Sequence, residues 1–196
     1  RVTINGVSTR SAIRGQDALH KGLELEFNTK FTPKLDIGGL MSFGDWRWAN
    51  DVTAELRSDV ENSPIISVDV YSGNVLIGNH PQTQLGVKGR YQINNTLDFG
   101  GQYIYNAKLY ADYDVTGRGD AGSRNIQPHQ LDSYGVLDLR IGARFNLGSL
   151  GAYAQVQGYN VLDELYWARG IEGDNDLAMG FPSYGRTLNF SIKLNF

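Results

Sequence analysis

Few residues in this chain have the type and spacing that catalysis or metal binding demands. Three histidines, His20, His80 and His129, stand far apart, and none has a second His at ligand spacing. Cysteine is absent, which removes thiolate metal sites, a disulfide framework and cysteine nucleophiles. No Ser-His-Asp set or nucleophile elbow is legible. Two acidic runs, Asp112, Asp114, Asp120 and Glu172, Asp174, Asp176, put oxygen ligands at alternate positions, as calcium prefers. The Gly and closing Glu of an EF-hand are missing, so solvated loop tips are the simpler reading. Arg118-Gly119-Asp120 spells an adhesion tripeptide, a match common by chance, and Gly117-Arg118-Gly119 has no phosphate-loop context. The chain therefore reads as a non-enzyme with no cofactor. What is left is recognition by aromatic and arginine side chains, the types that dominate binding energy when buried against a ligand. The candidates are Trp46, Trp48, Tyr110, Tyr113, Arg118, Arg124, Tyr166, Trp167, Arg169 and Tyr184. For each aromatic the competing role is anchoring at a lipid–water interface.

The elements that must position these residues follow from a period of two. Leu23, Leu25, Phe27 and Phe31 alternate with Glu24, Glu26, Asn28 and Lys30. Further alternating runs occupy residues 35–43, 84–91, 97–106, 137–145 and 188–196. Each is one apolar and one polar face of a β-strand, and no comparable period of 3.6 appears. The expected fold is all-β and antiparallel, with about seven or eight strands. The connections alternate in length: short at 32–34, 94–96 and 146–150, and long at about 8–18, 50–74, 108–131 and 163–182. Short turns on one rim and long loops on the other match a transmembrane barrel. Val68 and Val70 alternate with Asp69, which predicts strand extensions inside 50–74. At Gly44-Asp45 the large residues move from odd to even positions, read as a bulge or as the strand leaving the lipid.

Of 196 residues 41% are hydrophobic, too many for a disordered chain, and a net charge of −3 leaves no basic footprint for nucleic acid. No apolar run is long enough for a transmembrane helix. Alternation alone fits two inside-out arrangements. In a soluble sandwich the apolar faces form the core; in a membrane barrel they meet lipid and the charged face lines the interior. The charged face holds Glu24, Glu26, Lys30, Asp36, Lys88, Arg90, Asp98, Asp138, Arg140, Arg144 and Lys193. Aromatics near strand ends, among them Tyr103, Tyr105, Tyr153 and Tyr159, match an interfacial girdle, and a final strand running to Phe196 suits lipid better than water.

The ending GRTLNFSIKLNF (185–196) resembles the closing strand of TonB-dependent outer-membrane transporters. YNVLDELYW (159–167) resembles that family's penultimate-strand motif, and GQDALHKGLELEF (15–27) its Gly-x-Glu strand. FGDWRWAND (43–51) and KLYADYD (108–114) resemble strand tips of Bacteroidetes-type members. The resemblance covers nearly the whole chain. It implies that residues 1–196 are the C-terminal section of a barrel of about 22 strands, without the plug domain. It further implies a receptor in the cell outer membrane of a Gram-negative bacterium, importing a siderophore, metal complex or cobalamin-like ligand with TonB-derived energy. The implied partners are outer-membrane lipid, the remaining barrel strands and plug, the TonB complex, the barrel-assembly machinery and a small nutrient ligand. Leu188, Phe190, Ile192, Leu194 and Phe196 would form the membrane-assembly signal. A SusC-like glycan or peptide importer is an alternative, weakened because the last strand lacks the usual SusC-type ending. Two others are a self-contained eight-stranded barrel of structural or adhesive role, and a soluble β-sandwich with binding loops.

Overall fold

The computed structural model describes residues 2–4, 7–58, 60, 62–173 and 177–195. In chain order the strands are β1 (Val2–Ile4), β2 (Val7–Ile13), β3 (Ala18–Thr32), β4 (Leu35–Trp48), β5 (Val52–Ser58), β6 (Ile66–Val70), β7 (Thr83–Gln92) and β8 (Leu97–Ala107). They continue with β9 (Leu109–Tyr110), β10 (Gln130–Leu131), β11 (Tyr134–Leu147), β12 (Leu150–Tyr159), β13 (Trp167–Glu172), β14 (Leu177–Pro182) and β15 (Thr187–Asn195). Two short 3₁₀ turns, Thr116–Arg118 and Ala121–Asn125, lie between β9 and β10.

Seven long strands form one antiparallel sheet in the order β15-β12-β11-β8-β7-β4-β3. Every alternating run of the sequence lies in it, and β12, which alternation had not singled out, takes the seventh place. Register keeps like with like. Leu25, Met41, Leu85 and Tyr105 stand side by side in one row, and Glu24, Ser42, Gln84 and Asn106 in the next. A slip by one residue would exchange the two faces, so the pattern itself pins the pairing. The pairing of Ile141 with Val156 and of Val156 with Phe190 joins the odd-numbered apolar face of β11 to the even-numbered face of β12 and β15.

That apolar face is uncovered. Leu23 is 69% exposed, Phe31 70% and Leu188 77%, while Asp98 on the opposite face is fully buried. Among the described residues no second sheet packs on it, which overturns the sandwich arrangement. Nor does the sheet close. β3 pairs only with β4 and β15 only with β12 among the described residues, leaving an open arc. The self-contained eight-stranded barrel is therefore overturned as well. Leu188, Phe190, Ile192 and Leu194 project from the outer face of β15, and Phe196 lies outside the described residues.

The change of phase at Gly44-Asp45 is no bulge. Gly22↔Gly44, Lys21↔Asp45 and His20↔Trp46 pair without interruption, and the register shift of this hairpin falls at Lys30/Thr32 instead. The strand runs straight on while its faces change character. Outward positions become Lys21, Asp45 and Arg47, and Trp46 and Trp48 point to the inner side. The apolar band therefore ends at this level. Tyr103 remains on the outer face, but Trp46, Trp48 and Tyr153 face inward, so the expected aromatic girdle holds only in part.

Three short turns, at 33–34, 93–96 and 148–149, lie on one rim, and the connections 49–82, 108–133 and 160–186 on the other. The extension expected inside 50–74 is β5 and β6, joined by β1 and β2 in a four-stranded sheet. The long connections carry a small core of their own. Ala54, Val70, Val75, Tyr113 and Val115 are buried together, with Ile13, Trp48, Val52 and Val68 packed against them.

Candidate functional site

The candidate side chains sit on the long-loop rim, where the connections fold on one another. Asn79 donates its backbone N–H to Tyr110 O, Tyr71 to Arg118 O and Asp112 to Gly170 O. Gly170 N–H donates to Asn79 Oδ1 at 2.8 Å, and Leu76 N–H to Gln127 Oε1 at 2.9 Å. These bonds knit three connections into one cap, as buried backbone groups require.

Three candidates hold this cap together. Arg118 is 2% exposed. Its guanidinium donates to Ser123 O at 2.8 Å, to Ile126 O, and to Glu172 Oε2 at 2.9 Å. The Arg118-Gly119-Asp120 tripeptide is thus not presented to a partner as an adhesion motif. Tyr113 is buried, accepts from Gln16 Nε2 at 2.7 Å and meets Trp48 edge-on at 6.4 Å. Burial pushes its phenol above the ordinary value, against the opposing Gln16 bond. Arg124 is exposed. Its Nε donates to Asp51 Oδ2 at 2.9 Å, and it lies over the Tyr71 ring at 4.5 Å. That hydrogen bond, with a second from Gly73 N–H, holds the Asp51 carboxyl below its usual range.

The others are more open. Trp46 lies on the inner face, half-buried between His20, ring centre at 5.3 Å, and His80 at 6.4 Å. Two histidines that the sequence left isolated thus share one tryptophan, because His20 pairs with Trp46 across β3 and β4. Tyr166 stacks on Tyr134 at 3.6 Å. Trp167 and Arg169 are exposed on β13, Tyr110 is half-buried on β9, and Tyr184 is 92% exposed. The ten candidates share a rim but do not converge on one pocket.

The acidic runs resolve into caps and ion pairs. Asp114 accepts from Thr116 N–H and hydroxyl, Asp120 from Gly122 N–H, and Glu172 binds Arg118. Asp174 and Asp176 lie outside the described residues. Among the described residues no three His, Asp or Glu side chains come together as metal ligands. The motif at 159–167 is a turn. Asn160 takes a left-handed φ of 49° and its side chain bonds both N–H and C=O of Glu164, while Asp163 Oδ1 receives the N–H of Arg186.

Sequence reasoning missed a second cluster, on the inner face near the short-turn rim. The Asp98 carboxylate meets Arg90, Arg140, Arg144 and Tyr153, each of them recognised from the sequence only as an inner-face or strand-end residue. The missing signal was register. Arg90, Gly100 and Arg140 form one row, and Asp98 and Gly142 the next.

No protein-family model matches the chain, and no curated protein matches it. Among solved structures it is similar to the siderophore receptor PiuA from Acinetobacter baumannii. The identity is 19% and the TM-score 0.59, over 90% of this chain and 22% of that one. It is also similar to the ferric-catecholate import receptor Fiu from Escherichia coli K12. The closed form gives 15% identity and a TM-score of 0.46 over 90% of this chain and 28% of that one; the open form gives 15% and 0.44 over 94% and 27%. The chain thus spans less than a third of each. The likeness to PiuA shows the fold: the seven-stranded arc is a section of an antiparallel β-barrel wall.

Proposed function

We propose that the chain is a section of an outer-membrane TonB-dependent import receptor whose ligand is a siderophore, metal complex or cobalamin-like nutrient. One observation carries this reading: a charge-free outer face, from Leu23 to Phe31 on β3 through to Leu188 to Leu194 on β15, backed by a charged inner face. Water gives such a face no reason to stay uncovered, whereas lipid does. The open edges support it further, because unpaired strand edges are not satisfied in hydrocarbon, so β3 and β15 pair with further strands of a larger barrel. That barrel would enclose a plug, engage the TonB complex through it and be inserted by the barrel-assembly machinery reading β15. In this reading the ligand meets Trp46, Tyr110, Tyr166, Trp167, Arg169 and Tyr184. Arg118, Tyr113 and Trp48 act as the frame that fixes the cap, and Arg124 clamps its margin.

The test is cell fractionation together with uptake by a strain lacking the protein. Outer-membrane location, and loss of growth on one ferric siderophore or on cobalamin, restored by the wild type, is the expected result. A cytoplasmic or periplasmic location would refute the proposal.

A further inference from the structure

The inner-face cluster is more than a neutralised carboxylate. Asp98 is fully buried, and three guanidinium groups converge on it: Arg144 at 3.3 Å, Arg90 at 3.4 Å and Arg140 at 3.8 Å. The Tyr153 hydroxyl lies 3.3 Å from both carboxylate oxygens. Two glycines make room for this. A Cβ at position 142 would fall 2.0 Å from the Tyr153 hydroxyl, and one at position 100 would fall 2.9 Å from Arg140 Nε. Tyr153 crosses Gly142 to reach Asp98 from the neighbouring strand.

One carboxylate against three guanidiniums leaves two positive charges in excess. Two of the nearby acids are otherwise engaged, and a third, Asp36, stands opposite Arg90 in register. Glu26 pairs with Lys88 at 3.5 Å, and Asp138 accepts from Gln102 and from Asn160 N–H. Among the described residues no second carboxylate pairs with the three arginines. Arg90, Arg140 and Arg144 stay 39%, 29% and 45% exposed, so each keeps donors turned to the concave side. Beside them a hollow of about 500 Å³ is lined by four cations, Lys30, Lys88, Arg90 and Arg140, against two acids, Asp36 and Asp138. Guanidinium forks matched to planar or tetrahedral oxygens are the usual means of holding carboxylate and phosphate.

We propose that Arg90, Arg140 and Arg144, aligned by Asp98 and Tyr153, form an oxyanion site that takes one carboxylate or phosphate group on the concave face. The group comes from a small anion in the interior or from an acidic side chain of a polypeptide segment seated there. The inference rests on the proposed function only in treating the concave face as an interior, and its readout does not depend on transport.

The experiment uses the full-length protein purified in detergent, with inorganic phosphate as probe and chloride at matched ionic strength as control. If the site takes a free anion, phosphate raises the melting temperature. Arg144→Gln then weakens phosphate binding at least tenfold, and Arg144→Lys restores part of it. If an acidic side chain already fills the site, phosphate leaves the wild type unmoved. Arg144→Gln and Arg140→Gln then each lower the melting temperature, and high salt lowers that of the wild type. Absence of a phosphate effect together with Arg144→Gln as stable as the wild type, or more stable, overturns the proposal, because relief of uncompensated repulsion is what an empty cluster would give. Should the Gln variants fail to fold, comparing wild type with Arg144→Lys in the phosphate titration and in salt still decides it. A phosphate response in a protein that imports nothing would retain the site and discard the transport reading.

Discussion

Met41 and Ser42 are neighbours on β4, and the two-faced sheet predicts opposite fates for the same substitution there. Met41 points outward between Leu25 and Leu85; Ser42 points inward between Glu24 and Gln84. The outer band of β4 begins at Leu35, six residues earlier. At about 3.3 Å per residue and a tilt of about 40°, Met41 lies roughly 15 Å above Leu35 and about 5 Å below Phe43, in the upper half of the band. Arg costs about 2–4 kcal/mol at the midplane and less toward the interface, so about 1–3 kcal/mol is expected here, roughly a 5- to 150-fold loss in the folding equilibrium. Ser42→Arg brings the guanidinium opposite Glu24 in a polar interior, and its expected effect stays within about 0.5 kcal/mol. The assay is folding of the full-length protein into lipid vesicles across a urea series, read by band shift on unheated gels. Met41→Arg should move the midpoint sharply and Ser42→Arg hardly at all. Equal sensitivity, or equal tolerance, would refute the assignment of faces and with it the membrane argument.

Arg118→Ala strands Glu172 and two backbone carbonyls, and breaking such a pair costs about 3 kcal/mol or more; the cap should become open to limited proteolysis between residues 116 and 126 while the sheet stays intact. Asp51 has a folded-state pKa below its unfolded value, because of Arg124 and then Gly73. Its stabilising contribution is therefore complete above the ordinary Asp value of about 3.9 and is lost as pH falls through the lower folded value; Asp51→Asn should abolish that acid-side transition in cap proteolysis. Single cysteines at Asn95 and Gly119, in a chain with none, should differ on intact cells, with Gly119 labelled by an impermeant reagent and Asn95 protected; the reverse would invert the topology. Backbone amides along the free edges of β3 and β15 should resist hydrogen exchange in the intact protein, and rapid exchange there would show that no further strand pairs with them.

Six of the seven strands of the sheet were legible because each has one face for each solvent, and period two survives in a single sequence. The rims were legible from the lengths of the connections alone. What escaped lies where contacts cross strands. Asp98, its three arginines and Tyr153 sit on four different strands, and only the pairing of β7, β8, β11 and β12 brings them together. Trp46 and Trp48 suggested a bulge because a change of surroundings and a change of register leave the same trace in alternation. Arg118 looked like a binding residue because an arginine beside two glycines in a polar loop gives no sign of burial. Its burial depends on Glu172, 54 positions away.

Each long strand of the sheet pairs with the long strand next to it in sequence, and the excursions between them fold onto themselves and their neighbours at one rim. This arrangement lets the two rims evolve at different rates. A two-residue turn such as 33–34 sets the register of its hairpin, so a single inserted residue there would turn a strand inside out. On the far rim, doubling a connection adds only about 0.6 kcal/mol of closure entropy, and the cap's own small core can absorb a new segment without disturbing the wall. Descendants of this chain should therefore diverge by insertion and deletion almost wholly within 49–82, 108–133 and 160–186, acquiring new ligands while the wall is inherited unchanged.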